Sequence, residues 1–356
     1  MAERKKHHFI PKFYLKLFSN ERSGKTIGLY NLSSKKYVKN ANLKNQAYEN
    51  YFYGKDGIVE DSLGNLESRT SKTISSIIND NQIPKQSSEE YEILLVYTLF
   101  QATRTKSSAN EINDLTNKTL KKILSYDDNL KKYVDEVDFM MNSPASFSLK
   151  SVIPAIEHTK DLTCKLVINN SECEFITSDN PAVKYNQFLE KKNHKGGRLG
   201  LVVKGLQIFF PISPKHLLVF YDSKVYKIGF KKKSFIELID KNDVNSLNLL
   251  QTMNCEELVF FNENITEHYI KNLAEKRVKS AKNEKGIIDE YSKSRISEEK
   301  TSIVLHYYKL DLGIKLNLSF IKETLASKTF RPSGYQVELR NENLRNIRKH
   351  ITNKRL

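Results

Sequence analysis

Along the chain, the spacing of apolar positions switches from strand-like to helical and back. "IGLYNLSSKKYVK", from Ile27, holds two short β-type runs around Ser33-Ser34 and predicts a hairpin. "AYENYFYGKDG" is aromatic and turn-rich, and predicts a loop packed on something larger. In "VEDSLGNLESRTSKTISSII" the period becomes helical. Val59, Leu63, Leu66, Ile74 and Ile77 fall on one stripe, and Glu60 and Glu67 line its edge two turns apart. "SSEEYEILLVYTLFQATRTK" predicts a second helix. Ser87 or Ser88 can cap it, and Glu89 and Glu90 suit its positive N-terminal end. Ile93 to Phe100 is apolar nearly all round, which predicts a central, buried position. Tyr97, Gln101 and Arg104 share one face of this helix. "EINDLTNKTLKKILSYDDNLKKYVDEVDFMM" continues as amphipathic helix with a break near Tyr126 to Asn129.

After Pro154 short β-type runs dominate: "KLVINNSECEFITS", "LQIFFPIS", "HLLVFYD", "KVYKIGF", "SFIELI" and "ELVFFN", with "DVNSLNLLQTMNC" reading as a helix. Their close spacing and tight turns favour an antiparallel or mixed sheet over repeated βαβ units. "ITEHYIKNLAEKRVKSAKNEKG" predicts a basic helix running into a polar linker that lasts to about Lys300. "SIVLHYYKLDLGIKLNLSF" predicts a terminal hairpin turning at Asp311-Leu312-Gly313, and Arg340 to Leu356 a short basic helix. The predicted class is α+β, a helical segment packed on a β-rich one. The expected division is a main domain over 1–265 (helical over 58–150, β-rich over 151–265), a basic helix and linker over 266–300, and a C-terminal hairpin and basic helix over 301–356.

Composition narrows the setting. The 356 residues include 18 Phe and 18 Tyr, enough to pack a core, and no Trp. The net charge of +16 points to a polyanionic partner, nucleic acid first of all. A second reading is compositional, since Lys and Asn are abundant everywhere. Cys164, Cys173 and Cys255 form no CxxC, which argues for a reducing compartment and against a disulfide framework or zinc cluster. Pro11, Lys12 and Lys16 interrupt the N-terminal apolar run, and no stretch approaches 18 apolar residues. No signal peptide or membrane span is therefore expected, and the expected location is cytoplasmic.

Standard catalytic signatures are missing: there is no GxxxxGK[ST], GxGxxG after a strand, HExxH or GxSxG. Three constellations remain. His7 and His8 are adjacent, so on a strand their rings diverge, and together they make a poor chelate. At most one faces a given site, for proton transfer or a single metal bond. In "FITSDNPAVKYN", Asp179 and Asn180 at a strand end can present oxygens to a metal or a water, or Asp179 can simply close an Asx-turn. Arg104, at the end of a buried helix, requires a carboxylate, and Glu67 is the expected partner. "KGGRLG" reads as a basic surface loop whose Arg198 can touch phosphate.

The order "HHFIPKFYLKLFS", "LVYTLFQATRTK", "FITSDNP", "FPISP" and "VNSLN" resembles domain-of-unknown-function family 4238, over about residues 7 to 262. That family opens on an HHxxPxxYLxxF pattern and carries TSDNP and PLSP turns. The last of these reads Pro211-Ile212-Ser213-Pro214 here. The resemblance places His7, His8, Pro11, Tyr14, Glu67, Gln101, Arg104, Asp179, Asn180 and Pro181 on matching positions, which implies one assembled site. It implies no settled activity. The resemblance also implies a place among bacterial accessory genes, some near mobile elements or phage defence.

Two function classes follow. The first is a nuclease-like hydrolase of nucleic acid or nucleotide phosphates. One of His7 and His8 is its general acid or base, Glu67 and Asp179 hold Mg²⁺ or Mn²⁺ or orient water, Arg104 neutralises phosphate charge, and Gln101 and Asn180 assist. The Lys276 to Lys285 segment and the C-terminal helix attract the backbone. The second is a non-catalytic nucleic-acid- or protein-binding module, in which the same residues brace the arm, the helices and the sheet. Burial separates the two: mutually saturated side chains indicate braces, and spare polar groups around an open pocket indicate an enzyme.

Overall fold

A computed structural model describes residues 5–194, 196–280, 286–295, 301–309, 312–329 and 337–340. The chain starts with β1 (Lys6–His8) and α1 (Lys12–Lys16), with Pro11 before the helix in an extended conformation. The predicted hairpin is β2 (Thr26–Asn31) and β3 (Lys36–Asn42). β4 (Tyr48–Asn50) emerges from the aromatic loop and pairs antiparallel with β1. α2 (Ile58–Asp80), α3 (Glu89–Gln101) and α4 (Lys106–Leu124) match the three periodic segments. Ser88 caps α3 by accepting from the Tyr91 amide, and Thr105 does the same for α4 with Ser108. Past the predicted break the helix does not resume as one amphipathic run. Short helices α5 (Pro144–Ser151) and α6 (Ile153–Ile156) follow instead.

The β-rich part contains β5 (Thr163–Asn169), β6 (Thr177–Ser178), β7 (Val183–Tyr185), the short α7 (Gln187–Lys191), β8 (Gln207–Ser213), β9 (His216–Tyr221), β10 (Tyr226–Ile228) and β11 (Phe235–Leu238). After these come α8 (Lys241–Asn254), β12 (Leu258–Phe261) and α9 (Glu267–Ser280). One sheet has the order β11-β5-β9-β8-β7, mixed because β11 runs parallel to β5 and the other pairs are antiparallel. A second, antiparallel sheet has the order β3-β2-β12-β6. The class is therefore α+β, as the pattern predicts.

Both faces of the five-stranded sheet are covered, which explains why β8 and β9 read as unbroken apolar runs. Ile208, Phe210, Leu218 and Phe220 meet α3 (Leu94, Leu95, Tyr97) and the N-terminal arm (Phe9, Tyr14, Leu15, Phe18) in one core. Phe209, Leu217 and Val219 on the opposite face meet Val244, Leu247 and Leu250 of α8 in another. Leu316, Leu318 and Ile321, from beyond the basic helix, complete this second core.

The C-terminal hairpin is displaced from its expected place. β13 (Ile287–Arg295) pairs with β14 (Thr301–Tyr308), so the first strand comes from the segment read as polar linker. The expected second strand, after Gly313, is not a strand: β15 (Ile321–Glu323) starts later and pairs with β10, and α10 (Leu325–Lys328) follows. The reason is the environment of β13. It meets the half-exposed helix α4 through Glu290, which pairs with Lys122 at 3.7 Å, while Gly286 just before it and Tyr307 of β14 donate to the Asp114 carboxylate, so the hairpin docks through polar groups. The basic helix expected over 340–356 lies outside the described residues from 341 onward, as does the 281–285 part of the basic segment.

Candidate functional site

The strand geometry of β1 sends its two histidines to opposite sides, as their adjacency requires. His7 is buried, stacks on Tyr53 with ring centroids 5.9 Å apart, and accepts the Tyr53 amide at Nδ1 (3.3 Å). His8 packs against Tyr48 (5.5 Å) and turns Nδ1 to the Gln46 carbonyl (3.2 Å). A carbonyl only accepts, so Nδ1 carries the proton and the Nε2 lone pair is left over. Among the described residues His8 Nε2 has no hydrogen-bond partner, although the residue is only 9% exposed.

Arg104 follows α3 and is 1% exposed. Its Nη1 donates to Glu67 Oε1 (2.7 Å), its Nη2 to the His8 carbonyl (2.7 Å) and its Nε to Tyr53 Oη (3.0 Å). Tyr53 Oη in turn donates to the Arg104 carbonyl (3.1 Å). The expected Glu67–Arg104 pair is therefore present, with the Glu67 side chain 25% exposed. Gln101, one turn earlier, donates from Nε2 to the Phe9 carbonyl (3.1 Å). Together Gln101 and Arg104 fasten the arm at two successive carbonyls, His8 and Phe9.

Tyr14 performs the same task on the sheet side. Its hydroxyl donates to the Pro211 carbonyl (2.6 Å) and lies 2.7 Å from Thr177 Oγ1, so one buried side chain ties the arm to both the TSDNP and the FPISP segments. Asp179, 3% exposed, accepts the amides of Glu256 (2.8 Å) at Oδ1 and of Glu257 (2.7 Å) and Leu258 (2.8 Å) at Oδ2. It thus holds the chain between α8 and β12 rather than closing a local Asx-turn. Burial pushes its carboxyl above the usual range, against the downward pull of those amides. Asn180 accepts from Thr105 Oγ1 (3.3 Å) and donates to the Asn254 carbonyl (3.0 Å), linking the cap of α4 to the end of α8.

These contacts correct the expectation that one histidine faces Glu67, Arg104 and Asp179 together. His7 contacts Tyr53, a partner of Arg104, His8 offers Arg104 its carbonyl rather than its ring, and Asp179 faces the 256–258 amides. A divalent ion shared by Glu67 and Asp179 does not fit: one carboxylate serves Arg104 and the other three amides. Among the described residues no group of three or more His, Cys, Asp or Glu is placed to hold a metal ion. Arg198, in the basic loop, donates to the His194 carbonyl at 2.8 Å from Nε.

The family model described as Protein of unknown function (DUF4238) matches residues 6–264. The chain belongs to this family. No curated protein and no solved structure matches it. In this DUF4238 chain the motif segments converge as a clasp between arm, helices and sheet. Tyr53, its most connected member besides Arg104, was hidden in the sequence inside an aromatic loop. The signal for it was indirect: a buried guanidinium needs several acceptors, and Glu67 supplies only one. No helix among the described residues is long and apolar enough to cross a membrane.

The free ring nitrogen has a pH signature. Burial, then Lys12, Arg104 and Lys6, push His8 from 6.5 down to about 4, with the Gln46 contact opposing. The folded value lies below the unfolded one, so this stability is complete above about pH 6.5 and is lost as pH falls toward 4. Between pH 7.5 and 5.0 urea unfolding should show the wild type losing about 1–2 kcal/mol more than His8→Gln, after allowance for partial screening. Comparison with the variant matters because His194 and His216 are shifted the same way by burial.

Proposed function

We propose that this chain is a non-catalytic nucleic-acid-binding module. The observation that carries the non-catalytic part is the state of Arg104. Its three guanidinium nitrogens all have internal partners and it is 1% exposed, so neutralising a substrate phosphate would require dismantling the clasp. Asp179 supports the same reading, because its two oxygens take three backbone amides. Nucleic acid as partner rests on the net charge of +16, which attracts a polyanion whatever its sequence.

The test is titration of labelled DNA and RNA oligonucleotides across a salt series, with recovery of the oligonucleotide after incubation with Mg²⁺ or Mn²⁺. Expected are binding whose log affinity falls linearly with log salt, and intact oligonucleotide. Absence of binding to every oligonucleotide at low salt contradicts the reading. Cleavage would favour the hydrolase, for which one specific observation speaks: a histidine with Nδ1 fixed on a carbonyl and Nε2 free has the tautomer of a general base. In that case His8→Gln should abolish cleavage while the protein remains folded.

A further inference from the structure

We propose that the outer corner of the N-terminal arm, formed by Lys6, His8, Lys12 and Tyr48, is a binding site for a backbone phosphate of nucleic acid. This inference deepens the reading above and rests on it. The β1–β4 ribbon sets the corner's geometry, with His8 opposite Tyr48 and Lys6 opposite Asn50. Lys6 Nζ lies 4.5 Å from the Tyr48 ring centroid, and the His8 ring lies 5.5 Å from the same ring. Lys12, at the start of α1 after Pro11, adds positive charge near His8. Both lysines are exposed, and neither forms an ion pair among the described residues. The neighbouring acid, Glu49, pairs with Lys106 at 3.1 Å, and strand alternation turns it away from Tyr48.

Two features of the corner lack a counterpart. His8 Nε2 is buried with no partner among the described residues, a state that costs free energy. Among the described residues, the charged groups that act on the ring are Lys6 from β1, Lys12 from α1 and Arg104 just after α3, all positive. A phosphate supplies what is missing: negative charge and several acceptor oxygens. It would accept from the two exposed ammonium groups and act on the His8 ring through space, since Nε2 itself is closed to solvent, while Nδ1–H stays on the Gln46 carbonyl. A bound anion raises the pKa of His8, so binding takes up a proton. Half-exposed Tyr48 offers an aromatic face beside the phosphate for a sugar or base.

The experiment is fluorescence anisotropy of a labelled oligonucleotide with wild type, Lys6→Glu/Lys12→Glu and, as a control of equal charge change, Lys231→Glu/Lys232→Glu on the exposed loop between β10 and β11. The arm pair should weaken binding by about tenfold or more and reduce the salt slope by about 1.5–2, against about threefold or less for the control. All the substituted lysines are exposed, so urea midpoints should stay at the wild-type value. Wild-type affinity should rise from pH 8 to pH 6, and the His8 ring, followed by NMR with labelled histidine, should titrate at higher pH with oligonucleotide or inorganic phosphate bound. Equal weakening by both pairs overturns the site and leaves the nucleic-acid reading standing. A His8 midpoint that does not move also overturns the site. Wild type that binds anionic lipid vesicles but no oligonucleotide overturns both.

Discussion

Arg104→Ala is expected to lose about 3–5 kcal/mol of unfolding free energy, the largest effect of any single substitution in the clasp. The variant leaves the His8 carbonyl and Tyr53 Oη without their donor in a buried setting, and Glu67 without its cation. Only Glu67 has water to turn to, being 25% exposed. Lysine does not repair the defect. Its single ammonium cannot span three acceptors in the plane that the guanidinium fork covers, so Arg104→Lys should recover well under half of the loss. Urea denaturation of the three proteins measures this directly.

Asp179→Ala should cost about 3 kcal/mol or more, because three amides lose their acceptor between α8 and β12 at a position that water does not reach. Asp179→Asn should cost less than half as much. An asparagine oxygen in the place of Oδ2 keeps Glu257 and Leu258, and only the Glu256 amide meets the new NH₂ group. The sign of the carboxyl shift agrees with this order. Burial raises its pKa, so the negative charge costs free energy in the folded state, and the favourable element is the acceptor geometry. A raised folded value also means that this group's contribution is present at low pH and is lost as pH rises through the folded pKa. Urea midpoints of the two variants at neutral pH check the ranking.

Several parts of this structure were legible in the sequence for simple reasons. α2 carries a helical stripe, α3 a nearly all-apolar run with Ser88 as its cap, and the β2–β3 hairpin turns at polar turn formers. The Glu67–Arg104 pair followed from the cost of an unpaired buried cation. The divergence of His7 and His8 followed from strand alternation alone. β13 was not legible, because a hairpin that docks on α4 through polar groups shows little apolar alternation in its sequence. The direction of the Asp179 carboxylate was equally hidden. An aspartate in a turn satisfies local amides or distant ones with the same residue type, and only the close approach of the 256–258 segment decides. The single-site picture failed for a related reason. Segments that assemble together can meet as a clasp, in which polar groups use one another up, as readily as around a substrate.

The measurement that tests this account most directly is a double-mutant cycle on unfolding free energy with Arg104→Ala, Glu67→Ala and the pair. A clasp predicts that each single variant is destabilised and that the two couple by more than about 1 kcal/mol, the range found for groups in one hydrogen-bonded ion pair. A Glu67→Ala protein as stable as wild type or more stable, with coupling near zero, would mean that the carboxylate is held for a task other than holding the fold, and would contradict the account.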